Sequence, residues 1–268
     1  MNSIRYKWGL ALTALICTIS FCSCSNQPAK TSNFAGTLLF HNYTSYESWD
    51  GHLFTVDLAS KKLTNLTAGW KNVKHTINGS FSRDGQYITF MGSQKNIEDW
   101  DVFVTHWNGT KWEEPINLTG PNGKRDEDPK FSPTTNEIIY KEDGVVATIG
   151  LAGKPEYFMP GSMPYFMPDG KSYLFEQAGD IYLSKSNQVS KMYAGEGLKS
   201  YYPIALNAKE FLYTRVQNSK HDGIMLGFTD GRKSIPYFFN NDQWDNSDPF
   251  PYQDGKKFIF LEIGRAHV

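Results

Sequence analysis

Gly79-Ser-Phe-Ser-Arg-Asp-Gly-Gln-Tyr-Ile-Thr-Phe90 is the stretch that decides the fold, because the chain repeats it. Pro129-Lys-Phe-Ser-Pro-Thr-Thr-Asn-Glu-Ile-Ile-Tyr140 and Pro164-Tyr-Phe-Met-Pro-Asp-Gly-Lys-Ser-Tyr-Leu-Phe175 follow the same pattern. A shorter copy, Pro203-Ile-Ala-Leu-Asn-Ala-Lys-Glu-Phe-Leu-Tyr213, precedes the last, Pro249-Phe-Pro-Tyr-Gln-Asp-Gly-Lys-Lys-Phe-Ile-Phe260. Their starts lie 50, 35, 39 and 46 residues apart, near the ~40–45 residues of a four-stranded propeller blade. Each copy reads as a hairpin. A short strand enters Asp84-Gly85, Asp169-Gly170 or Asp254-Gly255, where glycine accepts the positive φ of a tight turn, and an apolar strand leaves it.

Third strands follow at Trp100-Asp-Val-Phe-Val-Thr105 and Gly179-Asp-Ile-Tyr-Leu183, and polar fourth strands end at Asn65-Leu66-Thr67 and Asn117-Leu118-Thr119. The first unit enters only at Thr37-Leu-Leu-Phe40. Phe-Ser-x-Asp-Gly-x-x-Ile-x-Phe, Asp-Ile-Tyr and Leu-Thr in this order resemble the WD40-like repeat of TolB-type propellers, over roughly residues 36 to 261. Pro133-Thr-Thr-Asn136 lacks the Asp-Gly turn and the fourth copy is short, so those two blades depart from the pattern. The Trp-Asp pairs at Trp49, Trp100 and Trp244 are not the eukaryotic WD dipeptide, which closes a strand, whereas Trp100-Asp101 opens one. The expected architecture is all-β: a propeller of four-stranded blades, six in the intact protein or else seven, with five present and two strands of a sixth.

Composition sets the class. Of 268 residues, 40% are hydrophobic, 21% charged and 15% aromatic, a globular balance rich in the rings that pack on pleated sheets. Lys plus Arg is 27 against 28 for Asp plus Glu, so no global charge recruits nucleic acid or an anionic membrane.

The ends read differently from the middle. Arg5 and Lys7 precede an uncharged run from Trp8 to Phe21, the n- and h-regions of a secretory signal, too short to span a bilayer. The run ends in Phe21-Cys22-Ser23-Cys24, which resembles a bacterial lipobox. All three cysteines, Cys17, Cys22 and Cys24, lie here, so cleavage before Cys24 leaves one thiol, acylated, and no disulfide or thiolate metal site. Residues 1–23 are therefore expected to be a signal peptide, with the lipid on Cys24 and residues 24–35 as a polar tether. Glu262-Ile-Gly-Arg-Ala-His-Val268 is what a common sequencing adapter encodes, so 262–268 are expected to be an artefact and the last blade to stop short of its natural end.

In a propeller the Asp-Gly hairpins gather on one face. Loops joining second to third strands, and blade to blade, gather on the other, and those are expected to be longer. Variable loops on a rigid scaffold are where binding is usually placed. The candidate residues there are Tyr46, Trp49, Trp70, Arg125, Asp128, Tyr202, Trp244 and Asp248. Inner strands beginning near Asp128 and Asp248 set acceptors at the channel rim, and aromatics beside them suit an extended peptide or a sugar. A packing role competes for each: Asp128 and Asp248 as turn caps before proline, the aromatics between blades, Arg125 as a neutraliser of its acidic neighbours.

Catalytic signals are thin. There is no Gly-x-Ser-x-Gly, no His-Glu-x-x-His, no phosphate loop and no Ca²⁺ loop. His41, His52, His75, His106 and His221 do not obviously converge, and no cofactor or metal is expected. The resemblance implies a non-enzymatic binding or scaffolding lipoprotein of the bacterial cell envelope, held to the membrane through its lipid and meeting an envelope protein, peptide or glycan at the long-loop face. The alternative is the propeller of an enzyme, a prolyl-oligopeptidase-like peptidase or, second, an oligogalacturonate-lyase-like protein.

Overall fold

A computed structural model describes residues 35–45, 48–94, 99–192, 197–218, 221–237, 240, 244–252 and 256–264. The signal, Cys24 and most of the tether lie outside the described residues, as do Tyr46 and Asp254-Gly255.

Six antiparallel sheets follow one another in chain order. The first holds β1 (Thr37–Asn42), β2 (His52–Asp57) and β3 (Leu63–Asn65). The second holds β4 (His75–Phe81), β5 (Tyr87–Ser93), β6 (Asp101–His106) and β7 (Ile116–Asn117). The third is β8 (Asp126–Phe131), β9 (Ile138–Glu142), β10 (Val145–Ile149) and β11 (Glu156–Pro160). The fourth is β12 (Ser162–Phe166), β13 (Tyr173–Gln177), β14 (Asp180–Lys185) and β15 (Gln188–Lys191). The fifth is β16 (Ser200–Ala205), β17 (Glu210–Asn218), β18 (His221–Phe228) and β19 (Ile235–Pro236). The sixth pairs β20 (Trp244–Tyr252) with β21 (Lys257–Gly264). This is the propeller read from the repeat: four complete blades, a first blade that starts at its second strand, and the two inner strands of a sixth. β21 runs three residues past the boundary expected at 261, because Glu262, Ile263 and Gly264 find ladder partners in Asn246, Asp245 and Trp244.

The period-2 alternation of the second strands explains how blades stack. In β9, Ile138 and Tyr140 enter a cluster with Val102 and Val104 of the preceding blade, while Ile139 between them joins Phe166 and Phe175 of the following one. β17 repeats this, with Phe211 and Tyr213 facing β13 and β14 and Leu212 facing Phe258 and Phe260 of β21. Each central strand thus buries both faces. At Gly227 a Cβ would come within 2.3 Å of the Phe211 ring, so the close approach of β18 to β17 requires a residue without one.

The Asp-Gly hairpins form as read. Gly85 sits at φ 70° and Gly170 at φ 66°. Asp84 accepts from the backbone N–H of Gln86 at 3.0 Å and from the Ser82 hydroxyl at 2.6 Å. The opposite face departs from expectation: second and third strands are joined by two-residue turns at Asp143-Gly144 and Ala178-Gly179. Asp143 and Ala178 both take positive φ, which suits a tight turn between right-twisted strands, so the long loops there are mainly the inter-blade ones. The sixth sheet meets the start of the first where the Tyr252 hydroxyl donates to the Ala35 carbonyl at 2.6 Å.

Candidate functional site: a polar ring on the propeller axis

The inner strands share one irregularity. Each has a register shift against its second strand, falling at Ile77/Ser80, Glu127/Lys130, Ser162/Tyr165, Tyr201/Ile204 and Ser247/Phe250. Inside each shift one non-glycine residue is left-handed: Asn78 at φ 54°, Asp128 at 57°, Met163 at 49°, Tyr202 at 49° and Asp248 at 49°. Glycine or proline follows every one of them. Proline has no N–H for the ladder, so the strand bulges there and re-aims the preceding side chain. Asn and Asp tolerate this conformation, but Met and Tyr hold it at a cost of about 1–3 kcal/mol each. Asp128 and Asp248 therefore lie within the inner strands, at bulges, and not as caps at their starts.

Four of the five bulge residues, Asn78, Asp128, Tyr202 and Asp248, come within hydrogen-bonding or electrostatic range of one another. Asp128 and Asp248 belong to the third and sixth sheets, on opposite sides of the ring, yet each lies within range of the other's charge. Tyr202 of the fifth sheet is within range of both. Asn78 donates from Nδ2 to Asp128 Oδ1 at 2.8 Å, and its own N–H donates to His41 Nδ1 at 3.3 Å. Lys130, two residues beyond the Asp128 bulge, carries its ammonium into the same space, near Asp128 and Asp248. No ion pair within 4 Å joins it to either.

Electrostatics follow from burial. Loss of water pushes the Asp128 and Asp248 carboxyls up from their ordinary range, Lys130 only partly countering it. Burial pushes Lys130 down, against the pull of the two carboxylates. His41 is lowered to about 4 by burial and the charge of Lys130, so it stays neutral. Tyr202 is raised, chiefly by burial. Glu127 is satisfied by Arg125 and Lys141, and Asp222 accepts from the Tyr201 hydroxyl.

Of the residues read from sequence, the fold brings Asp128, Tyr202 and Asp248 together. Arg125 pairs with Glu127. Trp49 stacks on His75 with ring centroids 5.8 Å apart, and Trp70 lies on Phe90 at 5.3 Å, within the core between the first two blades. Trp244 is 40% exposed at the start of β20. Asn78, Met163 and Lys130 escaped the sequence reading, and His41 was weighed there only with the other histidines as a metal ligand. The signal for Asn78 and Met163 was present: they occupy the same repeat position as Asp128, immediately before Gly79 or Pro164.

A second polar cluster lies between blades two and three. Asp101 is 1% exposed and Asp126 0%, and their strands are tied where Asp126 N–H donates to the Trp100 carbonyl at 2.7 Å. Asn117 donates to Asp101 Oδ2 at 2.7 Å and Asn122 to Asp126 Oδ2 at 3.2 Å, while Asp101 Oδ1 is buried without a partner. Burial pushes each carboxyl up to about 7. Just outside, Lys124, Glu142, Asp143, Val145 and Tyr157 line a cavity of about 360 Å³. Among the described residues no group of three or more His, Cys, Asp or Glu is placed to hold a metal ion, and no helix is long and apolar enough to cross a membrane.

Known structures share this arrangement of blades. A TolB-type protein from Agrobacterium tumefaciens superposes with a TM-score of 0.60 at 17% identity, over 76% of this chain and 75% of that one. The fold is a TolB-like β-propeller. TolB from Acinetobacter baumannii matches with a TM-score of 0.57 at 11% identity, over 87% of this chain and 65% of its own. A puromycin-hydrolyzing peptidase from Mycobacterium tuberculosis matches with a TM-score of 0.55 at 10% identity, over 75% of this chain and 37% of its own. The TolB-like propeller thus spans only about a third of that peptidase's length. No family model and no curated protein matches the chain by sequence.

Proposed function

We propose that this TolB-like propeller is a binding module of the bacterial cell envelope, anchored by a lipid on Cys24, that receives an envelope protein, peptide or glycan at the axial ring and its mouth. The observation that carries the reading is the set of five bulges. Left-handed Met and Tyr are costly, yet every inner strand described holds a left-handed residue at its bulge, and four of the five side chains share one polar region. The ring offers acceptors, donors and aromatic faces, but no aligned nucleophile and base. That composition supports recognition over catalysis.

Two experiments test it. Labelling with a clickable fatty acid in a bacterial host should mark the protein and not Cys24→Ala; equal labelling would remove the lipid anchor. Selection of displayed peptides and an envelope-glycan array on the purified chain should yield ligands whose capture falls in Tyr202→Ala or Trp244→Ala, with little change in melting. Capture that survives both changes would place binding elsewhere. The second reading, the propeller part of a longer peptidase, is supported by the likeness to the puromycin-hydrolyzing enzyme. A Gly-x-Ser-x-Gly elbow downstream in the gene would decide for it.

A further inference from the structure

The axial ring holds an unbalanced set of charges. Asp128 is 8% exposed, and among the described residues its carboxylate accepts one hydrogen bond, from Asn78 to Oδ1. The Asp248 carboxylate accepts from its neighbour Ser247 on Oδ2 at 2.8 Å. Neither has a cation within 4 Å among the described residues. Glu127 is consumed by Arg125 and Lys141, Asp222 is held by the Tyr201 hydroxyl, and His41 is neutral. Two carboxyl groups then face one amine, that of Lys130, which leaves the set rich in acceptors and short of donors. Beside them stand the rings of Tyr202 and Tyr43, the latter stacked on His41 with centroids 5.6 Å apart.

We infer that the ring is a receptor for a primary ammonium group on an aliphatic stem, as a lysine side chain of a peptide presents it, held between Asp128 and Asp248. This rests on the reading that the axis is the binding site, and it names what that site selects. The carboxylates supply the charge-assisted acceptors. The tyrosine faces attract a cation. The rings cover the methylene stem, which a sugar amine lacks. Lys130 holds the same space in the unliganded protein as the competing internal cation.

The test uses the full chain and four probes: acetyl-Ala-Lys-Ala-amide, the same peptide with the lysine acetylated, the same with norleucine, and a chitosan trimer. Titration calorimetry should show the lysine peptide binding at least about tenfold more tightly than the other three. Asp128→Asn with Asp248→Asn, which keeps size and shape, should weaken it at least about tenfold with melting little changed. Lys130→Met should do the opposite and tighten the lysine peptide alone. A lysine peptide that fails to bind, an acetylated peptide that binds equally, a chitosan trimer that binds better, or a double variant that binds like the parent each overturns the ammonium receptor. The wider reading has its own control. Selected peptides free of lysine whose capture depends on Tyr202 would leave the binding module standing while the ammonium proposal falls.

Discussion

Asp126→Asn should make the protein more resistant to urea at pH 8 and leave it nearly unchanged at pH 4. Asp101 and Asp126 are both buried, each with one carboxylate oxygen bonded to an asparagine, and the Thr119 hydroxyl lies beside the Asp126 carboxyl and works against its lift. Other charged or titratable groups near the pair are Asp99 beside Asp101, and Glu142, Tyr140, Tyr157 and Lys124 around Asp126. Lys124 spends its ammonium on Glu142, so no cation offsets the pair. Burial lifts each carboxyl from 3.8 to about 7. The folded chain therefore keeps protons that the unfolded chain releases near pH 4. Stability from the pair is full below pH 4 and is lost as pH rises through about 7. A lift of that size in one carboxyl corresponds to about 4 kcal/mol. Asp101's charge is the smallest cause of the lift at Asp126, so removing the Asp126 carboxyl leaves most of the Asp101 penalty in place, and about 4 kcal/mol is the ceiling for Asp126→Asn alone. Asparagine keeps the oxygen that accepts from Asn122 and carries no charge to desolvate. Urea midpoints measured between pH 4 and 8 on both proteins read the difference. Parallel loss of stability in parent and variant across that range would refute the buried-pair argument.

Three further outcomes follow from packing and turn chemistry. Phe175→Ala empties a fully buried site between blades three and four and should cost about 3–5 kcal/mol by denaturant unfolding; less than 1 kcal/mol would mean that interface is loose. Gly227→Ala drives a methyl into the Phe211 ring and should lower the melting temperature, whereas Gly231→Ala, with open space around it, should cost only the strain of its positive φ. Tyr252→Phe removes the hydroxyl bonded to the Ala35 carbonyl and should cost about 1 kcal/mol; no change would show that the contact between the last and first sheets does not depend on it.

Most of the fold was legible because a blade is a local object. Asp84-Gly85 and Asp169-Gly170 announce their hairpins through backbone sterics alone, and the unbroken apolar run Ile138-Ile139-Tyr140 announces a strand buried on both faces. Repetition then implies the ring, since one blade cannot cover its own faces. The incomplete start of the first sheet was readable too, since the first unit enters only at Thr37-Leu-Leu-Phe40. The site was legible in part. Asp128, Tyr202 and Asp248 drew notice through chemistry and neighbours, while Asn78 and Met163 at the same repeat position did not, and Lys130 looked like an ordinary strand lysine. Trp49 and Trp70 were read among the aromatic candidates for stacking on a ligand, yet in the fold they lie on His75 and Phe90. The physical reason is one of range. Turns and strand periodicity are set by residues a few positions apart, so the sequence by itself determined the blades. Convergence on the axis joins residues more than a hundred positions apart, and only closure of the ring decided which of them share one small, desolvated space.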